Sequence, residues 1–224
     1  MGTTKNTRKK RVLIVDDHPI MRRGVAQLVE QEPDLTVCGE ADDVYDALEK
    51  IEKLKPDVAI VDIKLKDSGG VELIKDMGTR WPELAILVLS MHDESLYAER
   101  VLRAGARGYV TNREPPERIV EGIRRILEGS IYVSENLARK MLRAFVTGKP
   151  GSDGSLVERL SDRQFQVFEL IGQGLKTREI AARLHLSVKT VDTHREHIKK
   201  RLALESGADL LRYAIQWVHF ENGT

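Results

Sequence analysis

Five short apolar runs, continuous rather than alternating, recur through the first half of this 224-residue chain. They cover residues 12–15, 35–38, 58–61, 85–89 and, more weakly, 108–110. Stretches with helical periodicity separate them, at 19–31, 43–54, 70–79, 94–104 and 115–127. A strand that is apolar on both faces must be covered on both, and intervening helices provide the cover. The pattern therefore predicts a doubly wound α/β domain over residues 11–128, with a five-stranded parallel sheet and right-handed crossovers. In such sheets ligands bind beyond the carboxyl ends of the strands.

The remainder of the chain has a different period. Residues 129–157 read as a linker that contains a helix at 134–145, followed by the turn-rich TGKPGSDGS. From 158 to 222 the pattern is wholly helical and predicts a separate four-helix domain. SDRQ at 161–164 has the form of a capping box, opening a helix to about Ile171 that Gly172 and Gly174 end. Further helices are expected at 177–184, at 187–203 behind Ser187, and at 207–219 behind Ser206.

Composition narrows the class. The chain is 41% apolar and 32% charged, with apolar runs of about five residues at most, too short to span a bilayer. The basic N-terminus, MGTTKNTRKKR, is not followed by an apolar signal core. The single cysteine, Cys38, is read as a packed residue of a core strand, and a cytoplasmic setting is expected. The net charge of +1 conceals an asymmetry: residues 12–154 carry −6, residues 155–224 carry +2, and the first eleven carry +5. An acidic body joined to a mildly basic end suggests two modules with different partners.

The strand ends carry the chemistry. The first run leads into Asp16-Asp17 and the third into Asp62, and if those two strands are neighbours, three carboxylates meet at one edge. Each acid could instead cap the helix that follows. Three together at strand ends favour a divalent cation, since Mg²⁺ takes carboxylate oxygens, waters and phosphate oxygens. Ser90 places a hydroxyl at the end of the fourth run, and Tyr109 and Asn112 lie on and just past the fifth. His18 and His92 are read as loop residues, an edge contact and a solvated helix start, rather than as acid–base catalysts.

"VLIVDDHP", "PDVAIVDIKL", "ILVLSMHDE" and "AGARGYVTN" resemble the signatures of the receiver domain of two-component response regulators, a flavodoxin-like fold. The resemblance implies that Asp62 accepts a phosphoryl group from a sensor histidine kinase. It assigns Asp16, Asp17, Asp62 and the Lys64 carbonyl to Mg²⁺ (or Mn²⁺). Ser90 would hydrogen-bond the phosphoryl group, with Tyr109 turning inward behind it. The chain departs from the family at Asn112, where a lysine is expected. An amide can donate a hydrogen bond but brings no counter-charge, which implies weak or altered switching. Arg113 is the neighbouring alternative, although consecutive residues at a strand end point apart.

"LSDRQFQVFELIGQGLKTREIAARLHLSVKTVDTHREHIKKRLAL" resembles the LuxR-type helix-turn-helix domain of the NarL/FixJ response regulators. The resemblance implies that the 187–203 helix enters the major groove of promoter DNA. The residues agree: Val191, Ile198 and Leu202 share a packing face, while Lys189, Asp192, Thr193, Glu196 and Lys200 share another. Candidate DNA-binding positions are these five together with Lys176, Thr177, Thr190, Arg195 and Lys199. A solvated face with a Glu196–Lys200 pair is the competing reading. In the family the last helix also mediates dimerisation, so an active homodimer is expected.

The chain thus reads as a phosphorylation-controlled transcriptional regulator without enzymatic activity of its own and without a membrane partner. Two alternatives stand. The receiver could act as a phosphate-independent protein-interaction module. Less favoured is an aspartyl-phosphate phosphatase, which needs a second carboxylate two residues after the nucleophile, where this chain has Lys64.

Overall fold

A computed structural model describes residues 8–65, 68–91, 94–147 and 156–222. The chain divides into two units at Ser134/Glu135. The first contains β1 (Lys10–Val15), α1 (Pro19–Glu30), β2 (Leu35–Ala41), α2 (Val44–Leu54), β3 (Val58–Val61), β4 (Lys64–Leu65), β5 (Ser68–Gly69), α3 (Gly70–Arg80), β6 (Ala85–Ser90), α4 (Glu94–Ala104), β7 (Gly108–Thr111) and α5 (Glu117–Leu127). The expected five-stranded parallel sheet forms, and its order is β2-β1-β3-β6-β7, while β4 and β5 form a two-residue antiparallel ladder beside it.

Successive strand residues point to opposite faces of the sheet. Val12, Ile14, Val58, Ile60, Leu87 and Leu89 pack with Val25 and Val29 of α1 and Ile119, Ile123 and Ile126 of α5. Leu13, Ala59, Ile86 and Val88 are equally buried and point the other way. Leu13 lies there beside Leu54 of α2, the two side chains crowding the open side of Gly39. The apolar runs are continuous because both faces are dry.

Two expectations need correction in this unit. β2 runs to Ala41 rather than stopping at residue 38, because β1 continues to pair with it through Val15↔Ala41. β2 is an edge strand, so Gly39 and Glu40 extend it without needing to be apolar. Cys38 falls where the β1–β2 register slips and is only partly buried, not a core residue. The sheet also gains a further contact beyond residue 128. Tyr132 bridges β7, with Tyr109 N–H donating to the Tyr132 carbonyl at 2.8 Å and Tyr132 N–H to the Arg107 carbonyl at 2.9 Å.

The second unit contains α6 (Glu135–Thr147), a 3₁₀ turn at Leu156–Arg159, α7 (Asp162–Gly172), α8 (Thr177–Arg183), α9 (Val188–Leu202) and α10 (Gly207–Asn222). Most of the expected TGKPGSDGS linker lies outside the described residues. The Ser161–Gln164 capping box is present, Ser187 caps α9 by accepting from the Thr190 N–H at 3.0 Å, and Ser206 accepts from the Asp209 N–H at 3.1 Å. Between α8 and α9 the turn is closed by His185 at φ +52°, with the Leu186 N–H reaching back to the Ala181 carbonyl at 2.8 Å. That is the Schellman geometry in which glycine is usual. Phe165 and Phe168 of α7 meet Trp217 of α10 edge-on, with ring centroids 5.4 and 5.5 Å apart.

Gly172 is the last residue of α7, just before the cap at Gln173. It remains helical and lets α10 approach closely, since a Cβ there would lie 2.5 Å from the Ala214 carbonyl oxygen. Gly174, at φ +84°, is the residue that terminates the helix. Because the obstruction is backbone, Gly172→Ala should cost about 1–3 kcal/mol. The check is chemical denaturation followed by tryptophan fluorescence from Trp217; an unchanged midpoint would mean that α10 yields freely.

Candidate functional site: an acidic cluster at the sheet edge

Backbone pairing alone assembles the cluster. Val15 is in register with Val61, so Asp16 and Asp62 emerge side by side, and the Asp62 N–H donates to the Val15 carbonyl at 2.9 Å. The sheet order reverses direction between β1 and β3, which opens a crevice at the carboxyl ends of the strands. One ligand atom from each of Asp16, Asp17, His18 and Asp62 falls within 4.8 Å of the others. Asp16 and Asp17 are buried and Asp62 is half-buried.

Local bonds hold the loop. Asp16 Oδ1 accepts from the His18 N–H at 2.7 Å, and Pro19 opens α1 immediately afterwards. The Lys64 N–H donates to the Asp62 carboxylate. Gly70 is required just beyond it, since a Cβ there would lie 2.5 Å from the Ile63 carbonyl oxygen. Burial, reinforced by the charge of Asp16, pushes the Asp62 carboxyl up to about 7, with the Lys64 N–H opposing. Burial likewise raises Asp16, against the pull of His18.

The donor set suits a hard divalent cation. All three acids offer oxygen, and Asp17 Oδ1 is buried without a hydrogen-bond partner. His18 was expected only as an edge contact, yet it enters the cluster itself. Its Nδ1 lies 2.8 Å from Asp17 Oδ1, a close approach without hydrogen-bond alignment, and 3.3 Å from Asp16 Oδ1. His92 lies outside the described residues.

The remaining candidates line the same edge. Ser90, the last residue of β6, is 1% exposed, and the Asn112 N–H donates to its carbonyl at 2.9 Å. Tyr109 is buried in β7, opposite Val88 of β6. Asn112 Oδ1 is buried and has no hydrogen-bond partner, whereas Arg113 is exposed, so the two side chains do diverge.

On α9, Val191, Ile198 and Leu202 are buried, as expected of its packing face. Lys189, Asp192, Thr193, Glu196 and Lys200 are exposed, while Thr190, Arg195 and Lys199 are half-buried. Glu196 pairs with Lys199 at 2.9 Å rather than with Lys200, the partner that the competing reading gave it. That leaves Lys200 with no ion pair among the described residues. The Thr193 hydroxyl donates to the Lys189 carbonyl, and the Thr190 hydroxyl meets Ser187 Oγ at 2.7 Å. Lys176 is exposed and Thr177 half-buried, but the Lys176 N–H already donates to Glu179 Oε2 at 2.6 Å. That amide is thus not free for a phosphate.

Residues 12–124 match the response regulator receiver domain, and residues 158–214 match the bacterial regulatory proteins of the luxR family. The chain belongs to the NarL/FixJ-type response regulators. It is 33% identical to the oxygen regulatory protein NreC of Staphylococcus haemolyticus, over 92% of this chain and 97% of that protein. Among solved structures it is similar to RcsB from Salmonella enterica serovar Typhimurium bound to promoter rprA in the presence of phosphomimetic BeF3−. That match has a TM-score of 0.70 and 28% identity, covering 93% of this chain and 99% of the other. A structure of two RcsB dimers bound to two parallel DNAs matches with a TM-score of 0.57 and 28% identity, over 92% and 98% of the two chains. The response regulator therefore joins a receiver to a LuxR-type DNA-binding domain, the architecture of a transcriptional regulator. No helix among its described residues is long and apolar enough to cross a membrane.

The raised Asp62 has a measurable consequence. Folding raises its pKa, so the folded state holds this proton more tightly than the unfolded state does. Asp62 therefore makes the metal-free protein less stable as pH rises from about 4 through about 7. A divalent cation should counter that repulsion most where Asp62 is ionised. The gain in melting temperature on adding Mg²⁺ should be larger at pH 8 than at pH 5.5. An equal or smaller gain at pH 8 would show that Asp62 does not contribute to cation binding.

Proposed function

We propose that this response regulator is switched by phosphorylation of Asp62 and then binds promoter DNA as a dimer. The observation that carries the reading is the position of Asp62: half-buried beside two further buried carboxylates, at the crevice where the sheet order reverses. An Asp62 oxygen would attack phosphorus, and the P–N bond to a sensor kinase's phosphohistidine would break. A cation held by Asp16, Asp17, Asp62 and the Lys64 carbonyl, Mg²⁺ or Mn²⁺, would neutralise the phosphoryl oxygens. The Ser90 hydroxyl would donate to the new phosphoryl oxygens, with Tyr109 filling the space behind it. The added charge, about −1.5 to −2 by analogy with other phosphorylated side chains, would then bias a two-state element.

The DNA half of the reading rests on α9. Its exposed Lys189 and Lys200 would contact phosphate, while Asp192, Thr193, Arg195 and Glu196 lie where base edges or neighbouring basic groups could be met. The RcsB structures, with promoter DNA and a phosphomimetic, support carrying both halves to this chain. Promoter DNA and a kinase's phosphoryl group as partners support a cytoplasmic setting.

Incubation with Mg²⁺ and a small phosphodonor should add one phosphate by intact mass and tighten DNA binding. Asp62→Asn should lose both effects. A stoichiometric adduct in that variant would identify a different acceptor.

Asn112 favours a weaker switch than the fold allows. A charge-assisted hydrogen bond to a phosphoryl oxygen is roughly twice as strong as a neutral one, and the half-buried Asn112 side chain supplies no charge. Asn112→Lys should therefore increase the phosphodonor-dependent gain in DNA affinity. The same gain in both proteins at saturating phosphodonor would make position 112 irrelevant to the switch. If Asp62 takes up phosphate with no change in DNA affinity in either protein, the receiver acts instead as a phosphate-independent interaction module.

A further inference from the structure

Arg22 has no part in the chemistry above, yet it reaches the backbone of the acid-bearing loop. It lies in the first turn of α1, where its N–H donates to the His18 carbonyl at 3.0 Å. From there the guanidinium folds back toward the sheet. Its Nη1 donates to the Asp16 carbonyl at 2.5 Å, and its Nε donates to Glu40 Oε2 at 3.1 Å. The Arg22 side chain is only 18% exposed, and its bond to the Asp16 carbonyl is partly buried, while Glu40 at the other end lies open to solvent. The Asp16 N–H, meanwhile, donates to the Ala41 carbonyl at 3.0 Å. Asp16 is thus tied to the last two residues of β2 at both of its peptide units, directly on one side and through Arg22 on the other.

The carbonyl that Arg22 holds belongs to the peptide joining Asp16 to Asp17. Because that peptide is planar, fixing its carbonyl fixes the plane from which Asp17 departs. Asp17 Oδ1 is the buried carboxylate oxygen with no hydrogen-bond partner. We propose that Arg22 is a positioning residue for the cation site: it clamps the Asp16 carbonyl against Glu40 and so sets the direction in which Asp17 presents its carboxylate. The inference rests on the reading of Asp16, Asp17 and Asp62 as that site. Arginine suits the task because its planar fork serves two acceptors in different directions, which one ammonium cannot do in the same rigid way. It bonds to a carbonyl rather than to the clustered carboxylates, and so leaves their charge for the cation.

The test is Mg²⁺ titration of the full chain by calorimetry, well below the melting temperature of each variant. Loss of a group that orients a metal ligand typically weakens binding by about 10- to 100-fold. Arg22→Ala should raise the Kd for Mg²⁺ at least to the lower end of that range. Arg22→Lys, which keeps the charge and a single donor, should fall between Arg22→Ala and wild type. Asp17→Asn runs in parallel as the control on the site itself. If Asp17→Asn binds Mg²⁺ like wild type, the cation-site reading fails and the role of Arg22 fails with it. If Asp17→Asn is weakened while both Arg22 variants keep wild-type affinity, only the role of Arg22 is overturned, even when their melting temperatures fall. Should Arg22→Ala not fold, Arg22→Lys decides alone: weakened affinity supports the clamp, and wild-type affinity overturns it.

Discussion

Backbone pairing forces Asp16 and Asp62 together, and neither side chain has a choice in the matter. Once Val15 and Val61 are in register, the next residue of each strand leaves the sheet at the same edge. Burial first, and the charge of Asp16 second, push the Asp62 carboxyl up to about 7. Such an arrangement is costly in the absence of a cation. The surrounding loop is correspondingly well restrained. The His18 N–H bonds Asp16, the Lys64 N–H bonds Asp62, and Gly70 keeps the turn after Asp62 tight enough for its carbonyl neighbours. These groups accept the repulsion and confine it to one geometry.

The same sheet carries the exit toward the second unit. Tyr109 sits in the edge strand β7, and its N–H is taken by the Tyr132 carbonyl. Two residues later the Ser134 N–H donates to Glu94 Oε1, at the first turn of α4. The chain that leads to Glu135 is therefore bonded both to the strand of Tyr109 and to the helix that follows Ser90. Gly108 and Gly122 leave the room for this: a Cβ at Gly108 would lie 3.2 Å from the Tyr132 carbonyl oxygen, and one at Gly122 3.0 Å from the Tyr132 ring. Residues 132–134 cannot shift without disturbing hydrogen bonds to elements that flank the acidic cluster.

The five strands, the carboxylates at their ends and the helix caps were legible because each depends on short-range pattern. Continuous apolar runs report burial on both faces, and Ser161, Ser187 and Ser206 each cap the next helix through neighbouring residues. What escaped depends on contacts distant in sequence. The tail of β2 is polar because it is an edge, and only its pairing partner reveals that it is a strand. Gly172 reads in sequence as the end of a helix, and only the approach of α10 shows that it is a crossing point as well. Arg22 looks like one more charge on an amphipathic helix; its link to Glu40 depends on β2 lying beside β1.

The choice between Lys199 and Lys200 as the partner of Glu196 illustrates the same limit on the DNA-binding side. An i,i+4 pair in the order Glu–Lys is favourable on an isolated helix. Here Glu196 meets Lys199 instead, one position earlier. Lys199 lies closer to the packed face, with only 19% of its side chain exposed, and pairing with it draws the Glu196 carboxylate toward that side. The effect is to uncover Lys200 on the exposed face, beyond Lys189 and Thr193. Glu196 thereby neutralises a half-buried lysine, and the exposed Lys200 is left without an ion pair among the described residues.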